Sequence, residues 1–272
     1  MEAFIKFILA HTKEDILPFE AELLASKTFN LSLRDVEEEA LKLGILPARY
    51  ERNSKTISIE GQLTLLQSTV AVVGCGGLGG YIIEELARLG VGTIKLIDPD
   101  TFEEHNLNRQ ILCTTSALGK PKVEVARSRI LDINPAVKVF AIHNAFTLEN
   151  GKGLLHGSRV VVDGLDNIPS RIALAEICED LKIPLVHGSI AGWYGQVTTQ
   201  LPGTKSVLNI YGKCKEERGV EKELGNPSFT PAIIASLEVA EVCKIILGQG
   251  NLLDKRMLFL NLFDMHFGEI GL

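Results

Sequence analysis

VAVVGCGGLGG (residues 70–80) joins a short apolar run to a group of glycines, and an amphipathic helical pattern follows to about residue 89. A GxGxxG turn between a strand and a helix lets the amides at the helix N-terminus approach a phosphate group. The stretch therefore predicts a nucleotide-binding α/β fold. NAD and ATP both carry such phosphates, so the glycines alone do not choose between them.

The rest of the chain alternates between short β-rich runs and helical patterns. After the glycine turn we expect strands at residues 93–98, 137–142, 159–164 and 183–188, and helices at about 121–132 and 169–181. This alternation is typical of βαβ units and a mainly parallel sheet. It predicts a Rossmann-like three-layer α/β fold.

The pattern changes after residue 188. YGQVTTQL (194–201) and KSVLNIYG (205–212) resemble strands with no helix between them, and they predict antiparallel additions to the sheet. The segment 212–228 is rich in glycine and charge and is predicted to be a loop. A helix over about 231–247 and a last strand at 257–263 follow it.

The first 45 residues have a helical pattern of their own. Amphipathic helices are predicted at 14–26 and 32–44, and Ser32 and Asp35 have the spacing of a capping box. We therefore predict two parts, a short helical extension (1–45) and a nucleotide-binding domain (46–272).

Composition limits the partners of this chain. Its 272 residues have a formal net charge of -6 and a pI near 5.6, so there is no general basic field for nucleic acid or anionic lipid. The five cysteines include no CxxC pair. The N-terminus does not resemble a signal peptide, and no apolar run approaches the roughly 18–20 residues of a membrane span. We expect a soluble cytoplasmic protein that binds neither nucleic acid nor membranes.

Asp98 ends the second predicted strand, 24 residues beyond Gly74. An acid at about this distance holds ribose hydroxyls in dinucleotide folds, and ATP carries the same ribose. Asp98 is therefore a candidate nucleotide ligand for either cofactor. The alternative is an acid that only caps the end of the strand.

The start of the next helix favours a bound anion. Pro121 suits the first helical position, and Lys120 and Lys122 flank it at the positive end of the helix dipole, where a cation is disfavoured by roughly 0.3–1 kcal/mol. Arg109 lies 13 residues before Lys122. These cations indicate an anion site, although two solvated lysines would give the same spacing.

DGLDNIPSR (163–171) brings two carboxylates to the end of a strand. Asp163 and Asp166 lie where open α/β sheets bind their ligands. A carboxylate beside a triphosphate is a suitable ligand for Mg²⁺. The alternative is that Asp166 caps the helix that begins near Ile168.

Six motifs together resemble one family. They are RYERN (49–53), GCGGLG (74–79), DPD (98–100), NLNRQ (106–110), GKPKVE (119–124) and DNIPSR (166–171). Their order and spacing resemble the HesA/MoeB/ThiF family, relatives of the ubiquitin-activating enzymes. The resemblance spans about residues 46–200, and the helical segment 230–248 resembles the family's helix after the crossover loop.

The resemblance implies an adenylyltransferase. Such enzymes use ATP and Mg²⁺ to activate the C-terminal glycine of a small ubiquitin-like or sulfur-carrier protein that ends in Gly-Gly, and they release pyrophosphate. It implies a homodimer in which Arg52 reaches the neighbouring subunit's site. The other implied roles are nucleotide binding by Gly74, Gly76, Gly77 and Gly79, ribose binding by Asp98, phosphate contacts by Asn106, Arg109 and Lys122, and Mg²⁺ binding by Asp166.

The chain departs from the family in two places. Many members hold a structural zinc through two CxxC pairs, but the corresponding regions here read SVLNIYGKCK and FLNLFDMHFG, so no structural zinc site is expected. Cys214, between Lys213 and Lys215 in the predicted loop, is a candidate nucleophile because cations favour a thiolate. It lies 17 residues before Pro231, and a loop thiol without a catalytic role is the alternative.

Three other functions stay open from the sequence. The first is ATP-dependent activation of another carboxylate, in a peptide terminus or a modified tRNA nucleoside. The second is NAD-dependent oxidoreduction, which leaves Arg109, Lys122 and the DNIPSR stretch unexplained. The third is a binding module whose catalytic site has decayed, against which the intact set of Arg, Lys and Asp residues counts.

Overall fold

Three helices and a short parallel strand pair form the N-terminal extension in the computed structural model, which describes residues 2–212, 214 and 219–272. They are α1 (Glu2–His11), β1 (Ile16–Leu17), α2 (Phe19–Phe29), α3 (Leu33–Lys42) and β2 (Leu46–Pro47). The predicted capping box is confirmed, since the Asp35 N–H donates to Ser32 Oγ and the Ser32 N–H donates to Asp35 Oδ2, both at 3.1 Å.

The other helix bounds in this extension differ from the prediction. The helix predicted at 14–26 begins only at Phe19, because Glu14 and Asp15 adopt positive φ angles of 50° and 60° and form a turn. Helix α1 was not predicted. Arg34 on α3 donates to the Leu66 carbonyl at 2.9 Å and so ties the extension to the segment before the main sheet. The division of the chain at residue 45 stays a prediction.

The main sheet follows a 3-10 helix (Ala48–Asn53) and α4 (Ile59–Gln67). Its strands are β3 (Thr69–Val73), β4 (Thr93–Ile97), β5 (Lys138–Ile142), β6 (Val160–Asp163), β7 (Leu185–Ala191), β8 (Tyr194–Gln200), β9 (Arg256–Asn261) and β10 (His266–Gly271). The helices between them are α5 (Gly77–Leu89), α6 (Lys122–Ile133), α7 (Gly151–Leu155), α8 (Ile168–Leu181), α9 (Ser206–Tyr211), α10 (Glu221–Leu224) and α11 (Phe229–Leu247).

The strand order is β10-β9-β8-β7-β6-β3-β4-β5 among the described residues. Strands β5, β4, β3, β6 and β7 are parallel, and β8, β9 and β10 add to them in antiparallel pairs. The chain leaves β3 toward β4 and β5, then crosses back to place β6 on the other side of β3. The C-terminal ends of β3 and β6 therefore flank a topological switch point, where open α/β sheets bind ligands.

Two helical layers cover the sheet, and the alternation of side chains along β3 shows both. Val70 and Val72 pack in a cluster with residues of α5, α6 and α11, whereas Ala71 and Val73 pack in a second cluster with residues of α8 and α9. A strand that is apolar on both faces is typical of a buried parallel sheet. The predicted Rossmann-like α/β fold with an antiparallel extension is confirmed. No helix among the described residues is long and apolar enough to cross a membrane.

Three predictions about the C-terminal third differ from the structure, the first being the loop at 212–228, which contains the short helix α10. Residues 205–212 were predicted as a strand but form helix α9, because Val207, Leu208 and Tyr211 recur at helical spacing and pack on one core cluster. Gln200 Oε1 also accepts the Val207 N–H at 3.0 Å at the start of that helix. The strand at 257–263 is not the last, because the chain turns at Met265, with φ of 51°, and returns as β10.

The glycine turn holds three backbone segments in direct contact. Gly74 has a φ of 95°, which favours glycine. A Cβ on Gly79 would overlap the Gly74 carbonyl oxygen, and a Cβ on Gly74 would overlap the carbonyl of Gly164. The Gly164 N–H donates to the Val73 carbonyl at 2.7 Å. The ends of β3 and β6 and the first turn of α5 therefore meet with no room for side chains.

Gly79→Ala should destabilise the protein by about 1–3 kcal/mol, because the added methyl group forces the first turn of α5 away from the Gly74 carbonyl. Gly153→Ala in α7 is the matched control, since a Cβ there has no neighbour within 4 Å. Chemical denaturation of the wild type and both variants measures the change in the free energy of unfolding. Equal stability of the two variants would contradict the proposed packing.

Candidate nucleotide site

The N-terminus of α5 lies beside the glycine turn and is half-buried at Gly76 and Gly77. Gly76 is the N-cap, and no side-chain cap to the first amides of this helix is found among the described residues. A Cβ on Gly76 would lie 3.5 Å from Gln110 Nε2, and one on Gly77 would lie 3.8 Å from Pro231. These are ordinary van der Waals distances, so Gln110 and Pro231 line this backbone, which stays partly exposed at both glycines. The amides and the helix dipole make it suitable for a phosphate group.

Asp98 fixes the glycine turn to the end of β4. Its Oδ2 accepts the Cys75 N–H at 2.6 Å, and its Oδ1 accepts the Asp100 N–H at 2.8 Å. The residue is only 5% exposed, and this burial raises the pKa of its carboxyl group. Each carboxylate oxygen can accept more than one hydrogen bond, so these contacts leave acceptor capacity for a ribose hydroxyl. The role of Asp98 in ribose binding stays a prediction.

Asn106 and Arg109 lie in the segment after β4. Asn106 is buried, and its Oδ1 accepts the Glu103 N–H at 3.0 Å, which shapes a 3-10 turn. Arg109 Nη1 donates to the His105 carbonyl at 2.9 Å and to Asn108 Oδ1 at 3.0 Å. Within the described residues no carboxylate forms an ion pair with Arg109. Among these residues, its positive charge is therefore left without a partner anion.

Lys122, unlike Lys120, is buried at the start of α6. Its Nζ lies 2.9 Å from Asp100 Oδ2, and its charge lowers the pKa of Asp98 against the larger effect of burial. Lys120 is exposed. Pro121 was predicted to be the first helical residue of α6, but it is the N-cap. Of the two predicted lysines, the structure therefore brings Lys122 to the carboxylates beside the glycine turn.

Asp163 and Asp166 have different environments. Asp166 is exposed, and the nearest hydrogen-bond donor to its Oδ1 is Asn167 Nδ2 at 3.5 Å. The alternative that Asp166 caps the next helix is wrong, because Asn167 is the N-cap and its Oδ1 accepts the Ser170 N–H at 2.9 Å. Asp163 is fully buried and hydrogen-bonded, so it is not a free metal ligand.

A buried polar cluster surrounds Asp163, and the sequence did not predict it. Asp163 Oδ2 accepts from His187 Nδ1 at 2.7 Å, and Arg171 Nε lies 4.0 Å from the same oxygen. Burial raises the pKa of Asp163, but Arg171 and the His187 hydrogen bond outweigh it and hold that pKa below its usual value. Burial lowers the pKa of His187 despite the neighbouring carboxylate. The cluster therefore contains one anion, one cation and a neutral imidazole.

Glu238 on α11 lies fully buried behind this cluster. A Cβ on Gly188 would lie 2.5 Å from the Glu238 carboxyl carbon, which places the carboxyl group against β7. Neither carboxyl oxygen has a hydrogen-bond partner among the described residues. Burial, together with the negative charge of Asp163, raises the pKa of Glu238 well above its ordinary value. Its neutral form is the one that this environment tolerates.

Arg52 lies on the 3-10 helix before α4 and is exposed. The neighbouring Arg49 anchors that helix through two buried carboxylates: its Nη2 lies 2.7 Å from Glu22 Oε2, and its Nε lies 3.0 Å from Glu37 Oε1. The N-terminal extension therefore determines where Arg52 is presented on the surface.

Cys214 is exposed and follows α9 by three residues. Its N–H donates to the Tyr211 carbonyl at 2.9 Å. The predicted flanking cations, Lys213 and Lys215, lie outside the described residues, as does part of the predicted loop. The nucleophilic role of Cys214 stays a prediction.

Comparison with known proteins identifies the family. The sequence profile of the ThiF family matches residues 50–272, and the chain belongs to this family. It is 36% identical over 226 residues to the SAMP-activating enzyme E1 of Haloferax volcanii, covering 82% of this chain and 84% of the relative. It is 33% identical over 232 residues to the sulfur carrier protein adenylyltransferase of Thermus thermophilus, covering 82% and 86%.

A solved structure shares the fold. The Escherichia coli tRNA N6-threonylcarbamoyladenosine dehydratase TcdA, in complex with ATP, has a TM-score of 0.62 and 26% sequence identity, covering 74% of this chain and 94% of that chain. The predicted membership of the HesA/MoeB/ThiF family is confirmed. The enzyme class predicted from the sequence, an adenylyltransferase, is confirmed by the relatives that carry this name.

Replacement of Glu238 by glutamine should flatten the pH dependence of stability. In the unfolded chain Glu238 ionises as the pH rises through its ordinary value of 4.5, whereas the folded protein keeps it protonated. The contribution of Glu238 to the free energy of unfolding of the wild type therefore falls as the pH rises above about 4.5. The Glu238→Gln variant has no group that titrates at this position, so this decrease is absent. Denaturant unfolding from pH 4 to neutrality measures the difference in the free energy of unfolding between the two proteins. The contributions of other titrating groups cancel in this difference. A constant difference across this range would show that Glu238 ionises normally in the fold.

Proposed function

We propose that this chain uses Mg·ATP to adenylate the C-terminal glycine carboxylate of a small ubiquitin-like sulfur-carrier protein, with release of pyrophosphate. The observation that carries the proposal is the glycine-capped N-terminus of α5 at the switch point, against which Gln110, the residue after Arg109, packs and near which Lys122 lies close enough to act on Cys75. The relatives add the substrate class, since one is named a sulfur carrier protein adenylyltransferase and another a SAMP-activating E1.

The proposed nucleotide contacts follow the positions of these residues. The half-buried backbone at Gly76 and Gly77 receives phosphate, while Gly74 and Gly79 hold the turn in its conformation. Asp98 binds ribose, and Asn106, Arg109 and Lys122 bind the phosphates. For Lys122 this means exchanging Asp100, which is 61% exposed in its side chain, for a phosphate oxygen.

Asp166 fits a magnesium ion held mainly by a nucleotide. Its exposed carboxylate supplies one hard oxygen ligand, and the described residues contain no cluster of three or more His, Cys, Asp or Glu side chains that could hold a metal by themselves. Mg²⁺ usually takes one or two carboxylates together with phosphate oxygens. When bound, the ion neutralises charge on the phosphates of ATP.

The chemistry needs positioning and charge stabilisation but no general base. The attacking carboxylate is already an anion, and its attack on the α-phosphorus forms the acyl–phosphate bond while the bond to pyrophosphate breaks. Negative charge grows on the non-bridging oxygens and on the leaving group. Fixed cations at Arg109 and Lys122 stabilise that charge without reorganisation.

A second candidate is activation of a different carboxylate, in a peptide terminus or a modified tRNA nucleoside. The 26% sequence identity to the tRNA-modifying enzyme TcdA supports this second candidate. The net charge of -6 argues against a tRNA substrate, because tRNA binding needs a basic surface. Dependence of ATP turnover on a Gly-Gly carrier protein separates the two. Titration with Mg·ATP and with NAD excludes or supports the oxidoreductase alternative.

The assembly and compartment are part of the proposal. We propose a homodimer in which Arg52 of each subunit reaches the other subunit's site, consistent with its exposed position. All five cysteines are free, which fits the reducing cytoplasm.

Arg109→Ala and Asp166→Ala should each abolish carrier-dependent ATP–pyrophosphate exchange. The first removes a cation from the developing phosphate charge, and the second removes the proposed Mg²⁺ ligand. The assay uses the small Gly-Gly protein purified from the same host and radiolabelled pyrophosphate. Arg127→Ala is the control, because Arg127 is an exposed α6 residue whose nearest carboxylate, in Glu124, is 3.9 Å away. Full exchange by either site variant would overturn its assignment.

Mixing two inactive variants should restore activity if Arg52 acts across the dimer. Arg52→Ala subunits retain Asp166, and Asp166→Ala subunits retain Arg52, so a mixed dimer contains one complete site. Random reassociation of equal amounts gives about one quarter of the wild-type number of sites in a two-fold symmetric dimer. Pyrophosphate exchange before and after denaturation and joint refolding measures this recovery. No recovery from fully refolded, dimeric protein would place Arg52 in its own subunit's site.

A further inference from the structure

The Tyr211 hydroxyl joins α9 to the buried cluster around Asp163. It accepts from Arg171 Nη1 and from Gln196 Nε2, each at 3.1 Å. It also lies 3.2 Å from His187 Nε2 and 3.3 Å from Ser189 Oγ. A phenol has one proton and two acceptor positions, so these neighbours use its full hydrogen-bonding capacity. Tyr211 is thus fixed by α8, β7 and β8 at once.

The same cluster fixes the backbone just before Asp166. Asp163 Oδ1 accepts the Leu165 N–H at 2.9 Å, and Arg171 Nη2 donates to the Leu165 carbonyl at 2.6 Å. Both peptide groups of Leu165 are therefore held by side chains that also contact Tyr211 directly or through His187. Asp166 is the next residue, and its exposed carboxylate accepts one long hydrogen bond, from Asn167 Nδ2 at 3.5 Å.

His187 links Asp163 to Tyr211 through its two ring nitrogens. Its Nδ1–H donates to Asp163 Oδ2, which leaves Nε2 as the acceptor for the Tyr211 O–H. Arg171 supplies the charge that balances Asp163 and contacts both Tyr211 and Leu165. Because all of these groups are buried or half-buried, loss of the phenol oxygen leaves donors on Arg171 and Gln196 without their acceptor.

We propose that Tyr211 is a positioning residue that couples the Asp166 segment to α9, the stem of the predicted crossover loop. Binding of Mg·ATP at Asp166 and ordering of α9 then favour each other, since coupling between two sites is reciprocal. This inference rests on the proposed role of Asp166 in the adenylation reaction. It extends that role by linking the nucleotide site to the segment that leads to Cys214.

The test compares Tyr211→Phe with Tyr194→Phe in the full chain. Tyr194 is an exposed β8 residue whose ring stacks on Phe259 and whose hydroxyl has no hydrogen-bond partner among the described residues, so it controls for the loss of a phenol oxygen. Isothermal titration gives the dissociation constant for ATP with excess Mg²⁺ and with EDTA. Hydrogen exchange is followed in peptides that cover residues 164–168 and 206–212.

Tyr211→Phe should weaken Mg·ATP binding by about 3- to 10-fold, the range of one or two hydrogen bonds, and leave ATP binding in EDTA unchanged. Exchange should rise in both peptides of the ligand-free variant, and Mg·ATP should protect residues 206–212 in the wild type but not in the variant. Tyr194→Phe should match the wild type throughout. If Tyr211→Phe does not fold, Gln196→Leu removes one donor to the same hydroxyl and should change binding and exchange in the same direction.

Two results would overturn the coupling. One is wild-type exchange in both peptides of a folded Tyr211→Phe protein. The other is an equal loss of ATP affinity with Mg²⁺ and with EDTA, which indicates a general structural defect. A wild-type protein that binds no ATP would instead refute the proposed function, and the ligand-free exchange data would still decide whether Tyr211 holds the two segments together.

Discussion

The contact among the backbones of Gly74, Gly79 and Gly164 is the constraint on which the rest of the site depends. It brings the ends of β3 and β6 against the first turn of α5 at the point where the strand order reverses. The first turn of α5, which has a glycine N-cap and stays half-buried at Gly76 and Gly77, is held at this point by that contact. Asp98 then fixes the turn from β4, and Gly164 leads directly into the segment that presents Asp166.

Charge balance below this contact explains why the buried polar residues are tolerated. Asp163 and Arg171 offset each other, His187 stays neutral between them and Tyr211, and Glu238 keeps its proton. By contrast, Arg109 has no carboxylate partner in the described part of the chain, and Lys122 pairs with the largely exposed Asp100. The fold thus neutralises its buried charges and leaves positive charge where a polyphosphate can approach, which is the arrangement that an adenylating site requires.

Local signals were the reliable ones in the sequence. The glycine turn, the Ser32–Asp35 capping box and the five parallel strands each depend on residues a few positions apart, and the structure confirms them. Helix α9 was mistaken for a strand because its short apolar run fits both periods until its packing partners are known. Asp166 was weighed as a helix cap, but Asn167, one position later, has that role.

The sequence by itself determined the nucleotide-binding fold, the family and the set of charged residues around the glycine turn, because these features are written in short motifs of fixed spacing. Only the tertiary structure decided which of two lysines and which of two aspartates are available at the site. It also brought His187, Arg171 and Tyr211 around Asp163, from four elements spread over about 50 residues. Such contacts depend on how strands and helices pack across the sheet. The periodicity of the sequence does not predict this packing.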